Sequence, residues 1–107
     1  MAFRRRQPLN DTEIIKNAER EAQAWAEWLK PYIETGIARL IEGRHGEIRV
    51  KRYRHTSYTI WVTSRDITIT LWGCNVAPRI PAHLQHMGYV VKGREKNLRY
   101  GIHIQRH

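Results

Sequence analysis

The stretch "GEIRVKRYRHTSYTIWV", residues 46–62, gathers Arg49, Lys51, Arg52 and Arg54 within six positions and then turns aromatic and β-branched. Guanidinium and ammonium groups in such a run neutralise phosphates. The rings interleaved with them and following them, Tyr53, Trp61 and then Trp72, offer faces on which unstacked bases pack. A second basic run, Lys92, Arg94, Lys96 and Arg99, lies further along the chain. The chemistry on offer is recognition of a polyanion, and the partner expected is nucleic acid, DNA or RNA.

Six histidines raise two other chemistries. His55 and His103, each close in sequence to positive charge, are the residues a metal-independent ribonuclease would use as general acid and base, with Lys or Arg stabilising the pentacoordinate phosphate. Acid and base would have to converge in space, which spacing cannot show, and the expectation is a non-catalytic protein. His83 and His86, at i and i+3 with Cys74 upstream, fall short of the three or four ligands that zinc needs. No glycine-rich phosphate loop of Walker or Rossmann spacing occurs. Three acidic residues in the basic half are too few for a two-metal carboxylate nuclease. Neither metal nor cofactor is expected.

The distribution of charge points the same way. Residues 1–43 hold seven basic and seven acidic groups. Residues 44–107 hold twelve basic groups against Glu47, Asp66 and Glu95, so the net charge of +9 arises in the second half. A one-sided positive field speeds encounter with a polyanion and weakens as salt is added. The same field suits an acidic protein or ribonucleoprotein surface, which a small basic chain would bind and block. Phage-encoded inhibitors of host defence, anti-CRISPR proteins among them, are often of this size.

These residues need elements to hold them. Residues 1–9, with Arg4, Arg5 and Arg6 and no periodicity, read as a flexible basic arm, leaving 10–107 as one α+β domain. Asn10 followed by Glu13 resembles a capping box at the start of a long amphipathic helix. Ile15, Ala18, Ala22, Trp25, Leu29 and Tyr32 form its apolar stripe. Pro31 predicts a kink, or a restart as a shorter helix over 31–42 that ends at Gly43. From residue 47 the period becomes two. "EIRVKRY", "YTIWVT" and "DITITLW" read as an antiparallel meander with an aliphatic side for the helix to cover. The other side receives Arg49, Lys51, Tyr53, Trp61 and Trp72. A short helix over 81–88 and a C-terminal hairpin, turning through Gly93 to Asn97, complete the chain.

The run from Pro81 to Gln105, a short helix, a glycine and a basic hairpin, is similar to a winged helix. The order helix, three strands, helix is similar to a double-stranded-RNA-binding domain. In both comparisons the second helix here carries His83, Gln85 and His86 where basic residues are needed, and no family follows. One cysteine, and no apolar run of about 18 residues, predict a cytoplasmic protein without a membrane partner. The helix over 10–43, acidic without the arm, is a surface on which a homodimer would form.

Overall fold

The computed structural model describes residues 10–105, so the arm expected over 1–9 lies outside the described residues. The side chain of Asn10 accepts the Glu13 N–H at 2.8 Å and opens one helix, α1, Asp11–Ile41. Its end is set by Gly43, which takes φ 71° so that the Gly43 and Arg44 N–H groups reach the Leu40 and Arg39 carbonyls. Glycine adopts that left-handed turn without penalty. α1 passes through Pro31 as a single element and does not restart there. Pro31 and Glu27 both lie on the solvent side, where water can replace the donor that the Glu27 carbonyl loses, while Leu29 and Ile33 are buried to either side.

Among the described residues five strands form one antiparallel sheet in the order β1-β2-β3-β5-β4: β1 Gly46–Ile48, β2 Ser57–Val62, β3 Asp66–Trp72, β4 Val90–Lys96 and β5 Arg99–Gln105. After β3 the chain leaves the sheet through a 3-10 turn, Ala77–Arg79, and a short helix, α2, Ile80–His86. It returns as the edge strand β4, and β5 then fills the place between β4 and β3. The period-two pattern sends Ile48, Tyr58, Ile60, Val62, Ile67, Ile69, Leu71, Val91, Ile102 and Ile104 to one face, all buried. α1 covers that face with Ala22, Trp25, Ala26, Leu29, Ile33 and Leu40, and α2 adds Ile80 and Leu84. At Gly36 the helix lies so close that an added methyl would stand 3.0 Å from the Ile67 side chain. Glu19 on α1 ties the second helix down, accepting from Arg79 at 2.7 Å and meeting His83 Nε2 at 2.6 Å.

Three expectations are corrected. Ile15 is half-exposed, because the first turns of α1 run beyond the sheet and the buried stripe starts at Ala22. The hairpin turn is Asn97–Leu98, with Asn97 at φ 46°, and Gly93 is a residue of β4. The first strand is three residues long, so Arg49, Lys51 and Tyr53 are not strand residues. The reason is tertiary. The Lys51 N–H donates to the Tyr32 hydroxyl at 3.1 Å, and the Lys51 carbonyl accepts from the Tyr58 hydroxyl, so the backbone groups a ladder would use are taken by two tyrosines.

Candidate nucleic-acid interface

α1 and α2 lie on the aliphatic face, so among the described residues nothing covers the opposite face of the sheet. Trp61 and Trp72 stand on it, 48% and 37% exposed, and the C-terminal hairpin extends the sheet edge to edge instead of covering them. Trp61 faces Thr68 across the β2–β3 ladder, and Trp72 is four residues further along β3. The indoles are therefore separated by about 13 Å along the strand direction, enough to engage different bases of one strand.

The cations of the second run share this face. Alternation from buried Val91 turns Lys92, Arg94 and Lys96 of β4 to the open side, where they meet His103, Gly101 and Arg99 of β5 across the ladder. Lys96 thus lies directly opposite Arg99, and Arg99 in turn faces Trp72 on β3. Like charges in direct cross-strand register are destabilising. None of Lys92, Arg94, Lys96 and Arg99 has an ion-pair partner among the described residues, whereas Arg79 and Arg44 pair with Glu19 and Glu42. Charges on an edge strand also deter pairing with another chain. That accounts for Lys92 and Lys96; it does not account for Arg99, one strand inside the edge, beside an uncovered indole.

Gly101 leaves a gap in the middle of this array. The resulting depression, about 240 Å³, is walled by Arg94, Lys96, Arg99, Thr68, Thr70 and His103. A second depression, of about 290 Å³, joins Lys51 and Arg52 to the other side of Trp72. Lys51 and Arg52 therefore reach the open face from its rim, by way of the pinned loop. Arg49 is exposed one position past β1.

Tyr53 does not present its ring to the open face. It stacks on Trp28, centroids 4.5 Å apart at 17°, and meets Trp25 edge-on at 4.6 Å. Arg54 holds its guanidinium 5.3 Å from the Tyr53 ring centroid and takes φ 49°, within the turn that reverses the chain before β2. The cluster of Trp25, Trp28, Tyr32, Tyr53 and Tyr58 clamps the basic loop to α1, with Trp28 Nε1 donating to the Tyr58 hydroxyl at 2.9 Å. Burial pushes the Tyr58 hydroxyl above its ordinary value, as expected for a phenol that stays protonated to donate.

The two candidate ribonuclease histidines are held apart. His55 lies in the turn before β2, whereas His103 is linked by register, through Thr68, to Trp61 near the far end of β2. His103 instead contacts a carboxylate that the sequence pattern did not reveal: its Nδ1 lies 3.2 Å from Asp66 Oδ2. The signal was present in the even spacing of Asp66 and Thr68, but the pairing of β3 with β5 was needed to read it. His83 is engaged by Glu19, and burial raises the Cys74 thiol, disfavouring a thiolate ligand. Among the described residues no three His, Cys, Asp or Glu side chains converge on a metal position, and no helix is long and apolar enough to cross a membrane. Set against protein-family models, curated proteins and solved structures, the chain finds no match.

Proposed function

We propose that this chain binds single-stranded nucleic acid in the cytoplasm, without catalysis, through the open face of its sheet. The observation that carries the reading is the unpaired set Lys92, Arg94, Lys96 and Arg99 lying beside two uncovered indoles. Phosphates neutralise the cations and relieve the repulsion between Lys96 and Arg99, while bases stack on Trp72 and Trp61. A single strand suits this arrangement because its bases are free to turn towards the rings; a duplex would satisfy the cations alone. Lys51 and Arg52 extend the track past Trp72.

Titration of the protein with unlabelled single-stranded and duplex oligonucleotides, followed by tryptophan fluorescence and repeated across salt, tests the reading. Association at low salt with quenching by the single strand is the result expected. No association at low salt contradicts it, and would turn attention to an acidic protein or ribonucleoprotein surface as the partner of the same cations. Cleavage of RNA, lost in His103→Ala, would contradict the non-catalytic part.

A further inference from the structure

The depression over Gly101 offers two kinds of group. Arg94, Lys96 and Arg99 are donors without partners among the described residues, and the Thr70 hydroxyl joins them. His103 is different. Its Nδ1 is 3.2 Å from Asp66 Oδ2 and 3.3 Å from Thr68 Oγ1, and Thr68 gives its own proton to Asp66 Oδ1 at 3.1 Å. The network therefore places a ring proton on Nδ1, donated to the carboxylate, so that the tautomer it selects for the imidazole carries its lone pair on Nε2. That atom leans over the gap: a methyl group added to Gly101 would stand 3.4 Å from it. The ligand complementary to this set carries an anion beside a hydroxyl donor. In nucleic acid that juxtaposition is the 2′-hydroxyl next to the 3′-phosphate of a ribonucleotide, and DNA lacks it.

We infer that the depression is a ribonucleotide seat, in which Arg94, Lys96 and Arg99 hold the phosphate and His103 Nε2 accepts the neighbouring 2′-hydroxyl, so that the open face selects RNA over DNA. The inference rests on the reading of that face as a single-strand binding surface. Asp66 and Thr68 are positioning residues here, fixing the imidazole without touching the ligand. The cations give affinity for either nucleic acid; the imidazole supplies the discrimination.

Equilibrium binding of the unaltered protein to three oligonucleotides of one sequence, RNA, DNA and 2′-O-methyl RNA, at a single salt concentration tests the seat. RNA should bind about tenfold more tightly than either of the others, the worth of one well-made hydrogen bond. The 2′-O-methyl strand keeps the RNA backbone but has no proton to donate, so it separates hydroxyl recognition from sugar shape. His103→Ala should lower RNA affinity to that of DNA, whereas Arg94→Ala should weaken all three together and keep their ratio. Equal affinity of the unaltered protein for RNA and 2′-O-methyl RNA, or for RNA and DNA, overturns the seat and leaves single-strand binding standing. Failure to bind any of the three overturns both.

Discussion

Gly93 has no room for a methyl group, and the reason is a ring from the neighbouring strand. Tyr100 leans across it so closely that an added Cβ would fall 2.7 Å from the ring carbon bearing the hydroxyl and 3.0 Å from Pro81. Gly93→Ala should therefore displace Tyr100 and cost about 1–3 kcal/mol of stability, read from the midpoint of chemical unfolding. Unchanged stability would mean that the ring swings away freely. At Glu19 the consequence is pH dependence. Hydrogen bonds from Arg79 and His83 hold its carboxyl below the ordinary value of 4.5 in the folded chain. A group whose folded value is depressed contributes stability above its unfolded value, and that contribution is lost as pH falls through the folded one. Glu19→Gln should lower the melting temperature at pH 7, and the gap from the unaltered protein should close as the pH drops well below 4.5. A gap independent of pH would show that packing, not charge, joins α1 to α2.

At the scale of elements, period-two and period-3.6 patterns settle most of the architecture in advance, since Ile60, Val62, Ile67, Ile69, Ile102 and Ile104 could be buried together on one side only. What local pattern could not reveal is long-range. Residues 49–53 alternate well enough to read as strand, but two tyrosines, one from α1 and one from β2, take the Lys51 backbone and end the ladder. Tyr53 is drawn into the aromatic cluster for the same reason. The basic and aromatic face was legible; that the C-terminal hairpin leaves it open, and the register that sets Arg99 between Trp72 and Lys96 and Asp66 beside His103, were not, because β5 enters between β3 and β4 only after the crossover. Two element-level outcomes follow. Pro31→Ala returns a donor to the Glu27 carbonyl within a continuous helix, and should raise stability by about 1–3 kcal/mol in denaturant unfolding. A loss would mean that the helix needs the proline's geometry to follow the sheet. Trp72→Ala should weaken single-strand binding by about 1–3 kcal/mol and leave duplex binding little changed, because only unpaired bases reach the indole. Equal losses for both substrates would remove stacking from the account.

Over the whole molecule, helices and sheet divide the labour. α1 and its aromatic cluster form a scaffold that buries one face, and the excess of positive charge carried by residues 44–107 is concentrated by the β4–β5 hairpin and the pinned loop around the other. On the proposed function, such a layout should make binding sensitive to which cations are removed, not merely to how many. The direct measurement is the salt dependence of affinity for a single-stranded oligonucleotide, compared between the unaltered protein and the Arg94→Ala/Lys96→Ala/Arg99→Ala variant. With roughly 0.7 counterions released per phosphate neutralised on a single strand, the log-log slope should flatten by about 2 in the variant. Removing Lys16, Arg20 and Lys30 from α1 should leave it unchanged. An equal loss of slope from both triple variants, or none from either, would contradict the assignment of binding to the open face of the sheet.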